Sequence, residues 1–122
     1  MNQLPQLPNP EQYTVLRILR GRELLRIVDI VRLEGDLNYT RFVLVDGRML
    51  LTSKNLSFYE PLLPNTFIRV HKSSLLNRDY ITDVGKYYVK MTDGYKAAVA
   101  RRKRKMMKKL VLLPKISNQH PH

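Results

Sequence analysis

The stretch YTRFVLVDGRMLLT, residues 39–52, decides the fold class. Two runs of aromatic, β-branched and long apolar residues flank a single Asp46-Gly47 step. Such a step marks a tight hairpin, because the turn needs a positive φ and Gly supplies it at little cost. Each run is short enough for a strand and too short for an ordinary helix.

The same punctuation recurs along the chain. Asp93-Gly94 is a second hairpin signal, and Gly21, Gly35 and Gly85 each separate runs rich in Val, Ile, Leu, Tyr and Phe. The further strand candidates are 15–19, 23–34, 67–70, 80–84, 87–91 and 95–99. The run 23–34 is long enough for two strands broken near Asp29. Two segments predict helix instead. Ser53 is positioned to cap 54–62, with Leu56 and Tyr59 or Glu60 at helical spacing and Pro61 ending it. Residues 100–113 place Met106, Met107, Leu110 and Leu113 on one side and Arg101, Arg104, Lys105 and Lys108 largely opposite. The expected fold class is mainly β, with one short internal helix and a basic C-terminal helix.

Five of the seven prolines lie near the two ends, which sets 1–12 and 114–122 apart as tails and leaves one domain over 13–113. The chain of 122 residues has no Cys, which excludes disulfides, thiolate metal sites and a Cys nucleophile. No apolar run approaches the ~20 residues of a membrane-spanning helix. The first residues lack the basic and apolar segments of a signal peptide. A cytoplasmic location is the expectation.

Charge points to the partner. Lys and Arg total 22 against 10 acids, a net +12. From residue 96 onward there are nine cations and no acid, so nine of the twelve net charges belong to the last 27 residues. Arg101–Lys105 are five consecutive cations that repel one another unless a polyanion neutralises them. The modest apolar stripe and lack of an aromatic anchor disfavour a membrane-surface helix. Nucleic acid is the favoured partner, and neither a small-molecule substrate nor a membrane is expected.

Catalytic chemistry finds no support. Of His71, His120 and His122, the last two sit in the C-terminal tail. His71, in RVHKS, has no clustered partners for a metal. Phosphate-loop, dinucleotide and zinc-protease motifs are missing, and Asp36, Asp46 and Asp93 fall in turns. The chain is expected not to be an enzyme and to need no cofactor.

A more specific signal lies in residues 67–81, FIRVHKSSLLNRDYI. Phe-x-Arg-Val-His-Lys-Ser-x-Leu-Leu-Asn, followed by Ile, resembles the signature of LytTR-type DNA-binding domains. Upstream, IVRLEGDLNYTRFVLVDGRML is similar to that family's opening, with Ile30, Leu33, Glu34, Asn38, Tyr39 and Asp46-Gly47 in matching places. Downstream, YYVKMTDGYKAAVARRKRK resembles its closing hairpin and Val-Ser-Arg-Arg motif, here Val99-Ala100-Arg101-Arg102. The likeness spans about residues 14–110. It implies an elongated arrangement of small antiparallel sheets. It also implies a bacterial transcription regulator that places loops into successive major grooves of double-stranded DNA, with two copies on repeated half-sites.

Carried over by position, the likeness assigns base contacts to Asn38, Tyr39, Lys72 and Arg101. The chemistry suits them: Arg101 can fork onto guanine O6 and N7, Lys72 makes a weaker version of that contact, and Asn38 can pair with adenine. Tyr39 can donate to a base or phosphate or cover a thymine methyl, or it is simply a sheet-edge aromatic. Arg41, Lys54, Ser73, Arg102 and Lys103 are cast as phosphate contacts. Arg69, with His71 and Asn77, is assigned to holding a loop's shape, although Arg69 can also reach the DNA backbone. Two departures stand out. Lys72 occupies a position where Arg or Asn is common, and Ala100 replaces a Ser able to cap the helix after it. The alternative is a basic RNA-binding or ribosome-associated protein with Tyr87, Tyr88 and Tyr95 available for stacking, although cross-strand or core roles explain these tyrosines more simply. A weaker alternative is a module for acidic lipid or an acidic protein.

Overall fold

The computed structural model describes residues 15–111. The expected tails 1–12 and 114–122, together with Leu113 and the side chain of Leu110, lie outside the described residues. Among the described residues ten strands form three antiparallel sheets. β1 (Val15–Ile18) and β2 (Glu23–Arg26) make a hairpin. β3 (Ile30–Gly35), β4 (Thr40–Leu44), β5 (Met49–Thr52), β6 (Phe67–His71) and β7 (Ser74–Asn77) form the central sheet in the order β5-β4-β3-β7-β6. β8 (Ile81–Val84), β9 (Tyr88–Met91) and β10 (Lys96–Ala98) form the third. The helices are α1 (Leu56–Tyr59), extended by a 3-10 turn over Glu60–Leu62, and α2 (Arg104–Val111), preceded by a 3-10 turn over Arg101–Lys103.

The central sheet is covered on both faces. Ile30, Leu33, Phe42, Leu44 and Leu75 point to one side and pack with Leu16, Ile18 and Leu25 of the hairpin and Leu56 and Tyr59 of α1. Val31, Val70 and Leu76 point to the other and meet Ile81, Val89, Met91, Ala97 and Met107. In a regular strand Ile30 and Leu33 would face opposite ways. A bulge between Ile30 and Arg32 absorbs one residue and turns both onto the same core.

The two-strand reading of 23–34 holds, with a 3-10 turn over Ile27–Asp29 at the expected break. The segment 74–77, not expected as a strand, is β7, buried throughout beside β3. Ser-Leu-Leu-Asn has no β-branched residue and no alternation, so strand propensity misses it; its neighbours impose the conformation. The internal helix is capped by Asn55 and not Ser53. The Asn55 side chain accepts the Phe58 N–H at 3.1 Å, and Pro61 falls inside the 3-10 extension. On α2 the apolar stripe is narrower than expected, since Met107 is buried while Met106 is exposed. Arg104 does not face away, because its guanidinium lies over Tyr87, 4.6 Å from the ring centre.

Arg32 joins the central and third sheets. It is 4% exposed, donates from Nε to Glu34 at 2.7 Å and from Nη1 to Asp93 at 2.8 Å, and covers the Tyr95 ring at 3.7 Å. Partial burial alone would raise the Asp93 pKa. The Arg32 hydrogen bond and charge, with the Tyr95 N–H, outweigh it and hold the carboxyl below its ordinary value.

Candidate nucleic-acid interface

At one end of the central sheet, two turns are braced against each other. In the β3–β4 turn the Asp36 carboxylate accepts the N–H groups of Asn38 at 3.1 Å and Tyr39 at 3.4 Å. The backbone is thereby fixed from within, and the side chains of Leu37, Asn38 and Tyr39 face outward, exposed. Gly35 donates its N–H to the Ser73 carbonyl at 3.0 Å, tying this turn to the β6–β7 turn.

Lys72 and Ser73 form that second turn between the paired residues His71 and Ser74. His71 Nδ1 accepts the Ser73 N–H at 3.2 Å and lies 2.9 Å from Ser73 Oγ. Arg69 donates to the carbonyls of His71 (3.0 Å) and Lys72 (2.7 Å) and to Glu60 at 2.6 Å. A guanidinium with each nitrogen engaged this way shapes the loop. Asn77 does similar work deeper in, donating to the Ile30 carbonyl and accepting the Asp79 N–H. The Lys72 ammonium has no partner among the described residues and is exposed.

The third segment starts beside the second. Ala100 donates its N–H to the carbonyl of Val70, two residues before Lys72, at 2.8 Å. The chain then enters the 3-10 turn with Arg101 and Arg102 exposed and without partners among the described residues. Ala100 occupies the cap position and no side chain caps the turn. Lys103 is half-buried, and Met107 anchors α2 in the core behind it.

Asn38, Tyr39, Lys72, Ser73 and Arg101 therefore emerge at one end of one sheet. Arg41 and Lys54 flank them. Arg41 is ion-paired to Glu34 at 3.0 Å, and Lys54 Nζ stands 5.2 Å from the Phe58 ring centre. Tyr39, Arg41 and Ser73 share an open depression with Tyr95, and Lys72 shares another with Leu37 and Asn55. Tyr87 and Tyr88 are exposed, which excludes the core role open to them from sequence, while Tyr95 is held beneath Arg32.

Sequence reasoning missed two supports of this site. A charge inside VRLEG reads as solvent-facing, so nothing marked Arg32 as buried. Gly35 reads as turn punctuation, whereas its role is steric. A Cβ there would lie 2.7 Å from Leu56 Cγ and 3.0 Å from the Tyr39 carbonyl oxygen. Leu56 is 2% exposed and has little room to yield. Gly35→Ala should cost ~1–3 kcal/mol in thermal denaturation, and displacing the 36–39 turn should weaken any base-selective binding with it.

The family model for the LytTr DNA-binding domain matches residues 21–112, about three quarters of the sequence. The chain belongs to the LytTr DNA-binding domain family. A similar solved structure is the LytTr DNA-binding domain of a protein described as a methyl-accepting/DNA response regulator from Bacillus cereus. The two are 22% identical with a TM-score of 0.64, over 80% of this chain and 94% of that one. That likeness supports the mainly β LytTr fold of small antiparallel sheets. Among curated proteins none matches at a significant level. Within the described residues no helix is long and apolar enough to cross a membrane, and no group of three or more His, Asp or Glu side chains could hold a metal.

Proposed function

We propose that this LytTr domain is a sequence-specific double-stranded DNA-binding transcription regulator that seats the 36–39 turn, the 72–73 turn and the segment from Arg101 in successive major grooves. One observation carries the reading: Asn38, Lys72 and Arg101 stand exposed at one end of a sheet on backbones fixed by internal hydrogen bonds. Chemistry on preorganised turns loses little ordering entropy on binding. Arg101 and Asn38 suit bidentate contacts to guanine and adenine, and Lys72 suits a single contact to guanine. Tyr39 adds a base or thymine-methyl contact. Arg41, Lys54, Ser73, Arg102 and Lys103 set register on the phosphates. Arg69, fully engaged within the domain, acts by shaping the Lys72 turn. The dense basic run adds a sequence-independent component, and two copies on repeated half-sites give the operator its repeat.

Selecting bound duplexes from a randomised library tests this reading. A recurrent motif is expected, and indifference to sequence at high salt contradicts it. On the selected duplex about five phosphate contacts should give a slope of roughly −4 to −5 in log affinity against log salt; a slope near zero would remove the phosphate assignments. The exposed Tyr87 and Tyr88 are the features that favour RNA stacking instead. Competing the selected duplex against structured RNA separates the readings, and preferential capture by RNA would replace the DNA reading.

A further inference from the structure

The tip of the β1–β2 hairpin lies along the β5 edge of the central sheet, with Glu23 near Arg48 of the β4–β5 turn and residues 17–22 facing Thr52–Lys54 at the end that carries the turns described above. β5 reaches that end at Thr52, which pairs with Thr40 beside Tyr39. Residues 52–54 then form one wall of an open groove of about 590 Å³, with residues 17–22 as the other wall and Phe58 and Tyr59 completing the lining. Four cations line it, Arg17, Arg20, Arg22 and Lys54, and no acid does. The neighbouring Glu23 is instead placed 3.8 Å from Arg48. Among the described residues no acid within the groove faces the four charges.

The backbone adds an independent observation. Leu19, Arg20 and Gly21 have φ of +54°, +57° and +84° in succession. Only Gly adopts this region freely, and the other two are held there at a cost. For Leu19 the compensation is visible, since its side chain packs on the core cluster of the hairpin and α1. Arg20 is exposed with no side-chain partner among the described residues; its φ is that of a tight hairpin turn, closed by the Gly21 N–H to the Ile18 carbonyl at 3.0 Å and the Arg22 N–H to the Leu19 carbonyl at 3.1 Å. The turn thus projects an unpaired cation from a backbone fixed by its own hydrogen bonds.

An open groove whose charged lining residues are all cations suits a polyanion that runs past it rather than one enclosed in it. It adjoins Lys54, already cast as a phosphate contact. We infer that the β1–β2 hairpin is an additional phosphate clamp, in which Arg17, Arg20 and Arg22 grip the duplex backbone beyond the bases faced by Asn38. This rests on the double-stranded DNA reading above. It also extends that reading, because Arg17 and Arg20 precede the family-matched residues 21–112.

The test measures salt-dependent affinity of the full chain for a 30-base-pair duplex selected by that same chain. The R20Q/R22Q double variant should flatten the log–log salt slope by about 1 to 2 and bind roughly tenfold more weakly at 0.1 M salt, since each lost phosphate contact removes about 0.9 from the slope. Base preference and melting temperature should not change. Arg20→Gly separates strain from charge: it should raise the melting temperature while still flattening the slope by about 1. If both variants keep the wild-type slope and affinity, the clamp is overturned and the reading by the 36–39 and 72–73 turns stands. If the wild-type chain binds no duplex, both fall together.

Discussion

Replacing Arg101 by Ala should lower affinity for the selected duplex by ~1–3 kcal/mol, about 5- to 150-fold, and relax preference at one base pair. The loss on random duplex should be much smaller. Arg101 is suited to this test because its side chain is exposed and bonds no described residue, so truncation leaves the fold alone. Its backbone is held from behind by the Ala100 N–H to Val70 contact and by Met107 in the core. Quantitative shift assays on the two duplexes give the answer. Equal losses on both would make Arg101 a phosphate contact. Lys103→Ala supplies the contrast, with equal weakening expected on both duplexes and a salt slope flatter by about 1. A base-selective loss at Lys103 would reverse the sorting of the two residues.

The second large effect concerns stability. Arg32→Met keeps much of the side-chain volume but leaves Glu34 and Asp93 without their shared cation and uncovers Tyr95. Removing one member of a buried ionic cluster costs ~3–5 kcal/mol. Asp93 is 44% exposed and partly recovers its hydration, so about 3 kcal/mol is expected. In a domain of this size that lowers Tm by roughly 12–20 °C. The pH dependence has a definite sign. The Asp93 pKa is depressed in the folded chain, so its contribution is present above the unfolded carboxylate value near 4 and is lost as pH falls through the folded value. Stability of the wild-type chain should therefore fall on acidification below about pH 4. The Arg32→Met variant, already lacking the pair, should lose less over the same range. An unchanged Tm would mean that Arg32 does not join the two sheets.

How much of this was legible in the sequence varies with the length scale of the signal. Turns were readable because their chemistry is local: Asp46-Gly47 and Asp93-Gly94 close hairpins where the residues say so, with Gly47 at φ +92° and Gly94 at +89°. The break at Asp29 was readable for the same reason. β7 was not, because Leu75 and Leu76 become strand residues only through β3 and β6 on either side. Choosing Ser53 over Asn55 as the cap was a two-residue error between good capping residues, settled by where β5 ends. At the candidate site, Asn38, Tyr39, Lys72 and Ser73 stand on two turns that the Gly35 N–H ties together. Their supports stayed hidden. Arg32 acts through partners 2 and 61 positions away in the chain, and Gly35 through a helix about twenty residues on. Arg104 was placed on the solvent side by a helical wheel that could not know Tyr87 stands beside it.

The most direct trial of loops entering major grooves is chemical interference on the selected duplex. Methylating guanine N7 blocks the major-groove edge that Arg101 and Lys72 are assigned, while methylating adenine N3 marks the minor groove. Interference by guanine N7 methylation in two patches on one face of the duplex, about one helical turn apart (roughly 10 base pairs), is the expected result. Methylation of adenine N3 between the patches should be tolerated. Interference confined to adenine N3, or binding indifferent to both modifications, would contradict the account.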